Sequence, residues 1–245
     1  MSSPLDGRVA IITGTSSGIG RAIAAKFVAA GATVHGFSRR GESEPGVRVH
    51  VVDITNDMAV AREVEAVGED RGVHILVLAA GLQTPERRLE QLTPAIFDEL
   101  INANLTGAFH MVAAALPYLR TARGDVIFVS SASALWPDLS GPAYQAAKLG
   151  LAGLSRAAAV EEHMNGIRFS TIYPGMTETP MLDLRPTPIS EEIREHALAP
   201  EDVAELCLFM AMLRPGVSIP EVTIMPSLIQ APGKAPSSPP PARPS

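Results

Sequence analysis

The eight residues Thr13-Gly14-Thr15-Ser16-Ser17-Gly18-Ile19-Gly20 constrain the fold of this chain more than any other stretch. Before them stands Val9-Ala10-Ile11-Ile12, a short apolar run of the kind shown by a strand buried on both faces. After them Ala22, Ile23, Ala25, Phe27 and Val28 read as a helix that Gly31 stops. Thr33-Val34-His35-Gly36-Phe37 then reads as a second strand. Strand, glycine-rich turn, helix and strand form the context that a dinucleotide-binding turn requires. Glycines let the backbone approach a pyrophosphate, and the helix N-terminus supplies N–H donors and a favourable dipole. Gly14, Ser16, Ser17, Gly18, Ile19 and Gly20 are therefore candidate cofactor contacts. Ser16 and Ser17 also suit the capping of the helix.

A second pattern is Tyr144-Gln145-Ala146-Ala147-Lys148. Residues four apart on a helix share a face, with roughly 5–6 Å between their Cβ atoms. A free phenol, with a pKa of about 10, exchanges protons poorly near neutrality. A neighbouring ammonium favours the phenolate and is expected to lower that pKa, giving a proton-transfer group usable near pH 7. Such a pair also arises by chance on helix surfaces, so it gains weight only beside the glycine-rich turn.

Together, Thr-Gly-x-x-x-Gly-x-Gly and Tyr144-x-x-x-Lys148 resemble the short-chain dehydrogenase/reductase family, in its shorter single-domain branch, from residue 8 to about 225. The resemblance implies an α/β, Rossmann-like doubly wound parallel sheet in a single domain over residues 1–230, with strand order 3-2-1-4-5-6-7. It implies hydride transfer between a nicotinamide and a carbonyl or secondary alcohol carbon. Tyr144 would donate the proton, and Lys148 would hold the nicotinamide ribose. Ser131, thirteen residues before Tyr144, would orient the carbonyl, with Ser133 in reserve and Ser130 turned to the other face of the sheet. Asn104 would hold a relay water. It sits with Gly107 inside a stretch, residues 94–119, that otherwise reads as one long helix; this placement predicts a local distortion there. Further cofactor contacts implied are Asp53 and Ile54 for adenine, Ala80 and Gly81 for ribose, and Pro174, Gly175, Thr177 and Thr179 for the nicotinamide and phosphates. Asp53 with Thr55 also suits a cap for the helix beginning near Asn56. Leu78 and Ala79 stand where relatives carry two asparagines that brace the sheet.

The second strand ends in Ser38-Arg39-Arg40, where NAD-binding relatives place a carboxylate. A hydroxyl and two guanidiniums suit a 2′-phosphate, so NADP(H) is the expected cofactor and NAD(H) the alternative. Leu82, Leu135, Trp136, Met176 and Met181 suggest a mainly apolar substrate pocket under a Pro-rich lid at 180–199. Arg185 in that lid is read chiefly as a solvated surface residue and secondarily as a partner for a substrate carboxylate. The ending Met225-Pro226-Ser227 resembles a subgroup acting on small hydroxy acids and related alcohols.

Composition narrows the partners. A formal charge of −6 without a long basic run argues against nucleic acid and anionic membranes. No apolar run spans a bilayer. The lone Cys207 and an N-terminus without a signal peptide's apolar core point to the cytoplasm. His35, His50, His74 and His110 fall singly in core-like segments with no metal spacing. Apolar faces near 105–112 and 149–154 predict a homo-oligomer, a tetramer or dimer. Residues 231–245, rich in Pro, Ser, Gly and Ala, are expected to form a disordered tail. Two rival functions keep parts of this machinery: a non-catalytic dinucleotide sensor, and an epimerase or dehydratase that consumes no cofactor.

Overall fold

The computed structural model describes residues 3–229; the expected tail lies outside the described residues. The chain runs β1 (Val9–Thr13), α1 (Gly18–Ala29), β2 (Thr33–Ser38), β3 (Val47–Val51), α2 (Asp57–Arg71) and β4 (Ile75–Leu78). It continues through α3 (Pro94–Ile101), α4 (Gly107–Ala122), β5 (Asp125–Val129), α5 (Pro142–Glu162) and β6 (Arg168–Pro174). A four-residue α6 (Glu191–Arg194), α7 (Pro200–Ala211) and β7 (Glu221–Ile224) complete it.

All strand pairs are parallel, in the order β3-β2-β1-β4-β5-β6-β7. This is the expected doubly wound sheet. Successive strand residues point to opposite faces, and both faces are covered. Ile11, Leu76 and Phe128 pack with Val64, Met111 and Leu151 from α2, α4 and α5. Ile12, Val77 and Ile127 pack with Phe27 of α1 and Val203 of α7. The strand order reverses between β1 and β4, which opens a crevice at their C-terminal ends.

The opposite end of the sheet is tied by charge. Asp125, 3 % exposed, accepts from Arg8 at 2.8 Å and from Arg168 at 2.5 Å. These residues sit at the N-terminal ends of β5, β1 and β6, so one carboxylate fastens three strands. Removing one partner of such a buried pair leaves an uncompensated charge, at a cost of about 3–5 kcal/mol.

The stretch expected as one helix over 94–119 extends to Ala122 and is interrupted. Between α3 and α4, residues Asn102–Thr106 form a single wide turn in which the Gly107 N–H donates to Asn102 O, five residues back. Asn104 and Gly107, the two poor helix formers, mark that distortion. The histidines are not all single: His35 Nδ1 and His50 Nε2 lie 2.9 Å apart, and His50 Nδ1 is 3.0 Å from Glu63 Oε2. Among the described residues no cluster of metal-ligating side chains occurs.

Candidate active site

Two cavities meet at Tyr144. The larger, about 1110 Å³, follows the crevice and is lined by the glycine-rich turn, the end of β2, Asp53 and Ile54, the turn after β4, and Lys148. The smaller, about 150 Å³, lies beyond Tyr144 against Ser131, Ser133, Asp138, Arg87 and Arg185. Ile19, Ser130, Thr179 and Met181 border both.

The glycine-rich turn owes its shape to close packing. Gly14 has φ +77°, and a Cβ there would fall 2.9 Å from both Cα and N of Ala80. Only glycine lets β1 turn this close to the residues after β4. Leu78 and Ala79 offer no side-chain amide here; the turn after β4 is held by Thr13, whose buried Oγ accepts from the N–H groups of Ala79 and Ala80, each at 3.0 Å. Ser17 is the N-cap of α1 by position but makes no side-chain cap. The expected capping is therefore corrected: Ser16 Oγ and Ser17 Oγ each accept from the Arg40 guanidinium at 3.2 Å. The Ser38 hydroxyl is turned onto the Arg40 carbonyl. Arg39 is exposed and borders the same cleft. Asp53 caps no helix; its Oδ1 accepts from Thr55 N and Oγ1, while Asn56 caps α2 through Ala59 N.

The catalytic candidates converge on the first turns of α5. Pro142 opens this helix, and Tyr144 and Lys148 follow on one face. Lys148 Nζ donates to Val129 O at 3.1 Å and lies 5.7 Å from the centroid of the Tyr144 ring, within cation–π range. Burial lowers its pKa to about 8. Tyr144 is pushed up to about 12, chiefly by burial; contact with the Ser131 hydroxyl pulls the other way, Asp138 raises it, and Arg87 and Arg185 lower it. This reverses the direction expected from the Tyr–Lys spacing. The ammonium lies over the ring and spends a donor on Val129, so the loss of water around the phenol dominates.

Ser131 Oγ donates to Ser133 Oγ at 3.1 Å. Ser133 Oγ donates onward to Asp138 Oδ2 at 2.5 Å. Ser130 Oγ donates to Lys148 O at 2.8 Å, joining β5 to α5. Asn104, 1 % exposed, uses its whole amide as a brace. Its Nδ2 donates to Leu82 O and Leu100 O at 2.9 Å, and its Oδ1 accepts from Leu82 N at 3.0 Å. A Cβ on Gly81 would lie 3.1 Å from Asn104 Oδ1 and 3.5 Å from Lys148 Nζ, so this bare backbone separates the brace from the ammonium. Pro174, Gly175, Met176 and Thr177 border the smaller cavity. Thr177 Oγ1 donates to Gly175 O at 3.1 Å.

The substrate side differs from the apolar pocket expected. Leu135 and Trp136 border neither cavity; Trp136 is 44 % exposed. Met176 and Met181 do border the smaller cavity, with Leu182, Met225 and Ile229, but its wall is mixed: Gln83, Arg87, Asp138, Ser140 and Arg185 share it. Arg185 is partly buried rather than solvated. Asp138 was legible in principle as the single ionisable residue between Ser131 and Tyr144. Gln83 and Arg87 give no comparable signal.

A doubly wound sheet with a dinucleotide-sized cleft and a buried Tyr–Lys–Ser cluster at its switch point defines a nucleotide-dependent oxidoreductase. The short chain dehydrogenase family matches over residues 8–188, and this chain belongs to that NAD(P)-dependent family. It is 32 % identical over 229 residues to the 3-oxoacyl-[acyl-carrier-protein] reductase of Thermotoga maritima, covering 84 % of this chain and 91 % of the relative. It is 30 % identical over 221 residues to a 3-alpha-(or 20-beta)-hydroxysteroid dehydrogenase of Mycobacterium bovis, covering 86 % and 85 %. Among solved structures, an alcohol dehydrogenase from Thermococcus sibiricus complexed with 5-hydroxy-NADP superposes with a TM-score of 0.81 at 28 % identity, covering 93 % of this chain and 99 % of the other.

Proposed function

We propose that this chain catalyses reversible hydride transfer between NADP(H) and a small ketone or secondary alcohol. The observation that carries the reading is the position of Tyr144, a buried phenol shared by a dinucleotide-sized cleft and a small cavity of mixed polarity. The residues around the cleft fit the cofactor: Gly14 leaves room beside Ala80, and Ser16, Ser17, Arg39 and Arg40 gather hydroxyl and guanidinium donors at the adenosine end, beside Ser38, whose hydroxyl would turn from the Arg40 carbonyl to join them. Asp53, Ile54, Ala80 and Gly81 border the adenosine and ribose stretch, and Thr179 the nicotinamide end. When bound, the nicotinamide supplies or accepts the hydride.

The protein supplies the proton and the orientation. Tyr144, protonated at neutral pH, donates to the carbonyl oxygen as the alcohol forms. The Ser131 hydroxyl hydrogen, held on Ser133 Oγ in the free protein, turns to the same oxygen as charge develops there. Its orientation is set by Ser133, and through it by Asp138. Lys148 holds a positive charge beneath Tyr144 and faces the ribose. Asn104 fixes the backbone at Leu82 and the wide turn after α3, which positions rather than reacts.

The decisive experiment mixes purified protein with NADP(H) and a panel of small ketones and alcohols, following nicotinamide absorbance. Cofactor oxidation on adding ketone is expected. Tight dinucleotide binding with no turnover across the panel would favour a sensor; substrate conversion without net cofactor change would favour an epimerase.

The reading extends to assembly. Phe109 on α4 and Leu149 on α5 are each 52 % exposed, and Phe97 on α3 is 40 % exposed. A second copy covering these adjoining helices gives a symmetric homo-oligomer, a tetramer or dimer. Light scattering at micromolar concentration is expected to return a multiple of the 25.8 kDa chain mass; a monomer mass refutes it. Among the described residues no helix is long and apolar enough to cross a membrane, and a cytoplasmic site of action fits this reading.

A further inference from the structure

We infer that the substrate carries a carboxylate, seated in the smaller cavity on Arg185 and Arg87 while its reacting carbonyl faces Tyr144. The inference rests on the oxidoreductase reading for the chemistry at Tyr144, but the anion site itself stands on the arginines.

The two guanidiniums border the same small cavity as the phenol. Arg87 is 8 % exposed and donates only to backbone carbonyls, Thr84 O at 2.9 Å and Leu184 O at 3.1 Å. The second of these bonds fixes the segment that presents Arg185. Among the described residues, the Arg185 side chain has neither a hydrogen bond nor an ion pair. Its sequence neighbour Asp183 does not serve it: Asp183 and Glu178 are both paired with Arg194. Asp138, the single carboxylate in the cavity wall among the described residues, is already satisfied. It accepts from Ser133 Oγ at 2.5 Å, Ser140 N at 2.8 Å and Ser140 Oγ at 3.1 Å. It lies within ion-pair distance of neither arginine.

Two cations against one carboxylate leave a net positive charge in a partly buried space. The guanidiniums also repel one another, and burial makes each less willing to remain charged. Buried charge of this kind is ordinarily paired. A bound carboxylate supplies the missing partner, accepting the fork of donors an arginine presents. The roughly 150 Å³ of space suits a short chain between carboxylate and carbonyl.

The test compares 3-oxobutanoate, 4-oxopentanoate and 5-oxohexanoate with their methyl esters as substrates, using the full chain with NADPH. At least one acid is expected to exceed its ester in kcat/KM by about 10-fold or more, the scale of a charge-assisted hydrogen bond. Arg185→Gln should collapse that acid-to-ester ratio by a similar factor, mainly through KM, and Arg185→Lys should restore part of it. A parallel titration by calorimetry uses unreactive ligands on the enzyme–dinucleotide complex: cyclohexanecarboxylate, its carboxamide, and propyl phosphate. Preferential binding of the carboxylate, lost in Arg185→Gln protein that still binds dinucleotide, supports the site even if no ketone turns over; that outcome would count against the oxidoreductase reading alone. Equal binding of carboxylate and carboxamide, an unchanged ratio in Arg185→Gln, or tighter binding of the phosphate overturns the inference.

Discussion

Tyr144→Phe protein is expected to fold, bind dinucleotide and turn over at least about 100-fold more slowly than the parent, the usual scale of general acid–base catalysis. The substitution removes one hydroxyl from a side chain that is 8 % exposed and keeps the ring beneath which Lys148 sits. The stopped step is proton delivery, so kcat should fall with little change in dinucleotide affinity. The pH profile follows from the same group. With its pKa pushed up to about 12 in the free protein, Tyr144 is protonated at neutrality, the form that ketone reduction needs. Alcohol oxidation needs the phenolate, whose fraction grows with pH. Oxidation should therefore accelerate steadily from neutral to alkaline pH while reduction does not. Folded Tyr144→Phe protein with near-parental kcat would remove Tyr144 from the mechanism.

Ser38→Asp combined with Arg39→Ala is expected to turn a preference for NADP(H) into one for NAD(H). In the parent, kcat/KM with NADP(H) should exceed that with NAD(H) by roughly 10- to 150-fold, the range spanned by charge-assisted hydrogen bonds. Ser38 ends β2, where a carboxylate would accept from the ribose hydroxyls of NAD. Arg39 and Arg40 border the cleft beside it, and Arg40 already reaches the serines of the glycine-rich turn. A 2′-phosphate entering here meets hydroxyl and guanidinium donors together. An aspartate at position 38 repels that phosphate and offers the ribose an acceptor instead. A parent enzyme faster with NAD(H), or a double variant with an unchanged cofactor ratio, would show that these residues do not read the phosphate.

Strands β1, β4 and β5 were readable from the sequence because each is a short, largely apolar run followed by a glycine-containing or polar turn, whereas the order of the strands came from resemblance. Tyr144 and Lys148 were readable because helical spacing alone places them on one face. Ser131 and Asn104 came from resemblance, and the fold brings both to the same end of the sheet. Of the charge of the substrate side the sequence offered only the secondary reading of Arg185 as a carboxylate partner and a resemblance to hydroxy-acid enzymes; the cluster around it was hidden. Gln83 and Arg87 follow β4, Asp138 precedes α5, and Arg185 lies in the segment after β6. Loop residues carry no periodicity, so nothing in their order foretells that they share a wall. The sign of the Tyr144 shift was hidden for another reason. Spacing reports the neighbouring charge but not the depth of burial, and burial decided the outcome.

The wide turn between α3 and α4 has a consequence for how this chain tolerates change. Each helical residue advances the face by about 100°, and residues Asn102–Thr106 close their hydrogen bond over five residues rather than four. The turn therefore acts as a phase shifter: it absorbs one additional residue and aims Asn104 inward. Removing a single residue here would not merely trim the helix. It would rotate everything on α3 relative to α4, carrying Asn104 off Leu82. Insertions and deletions are commonly absorbed by loops; along this helix the reading frame of the turn is itself a structural element.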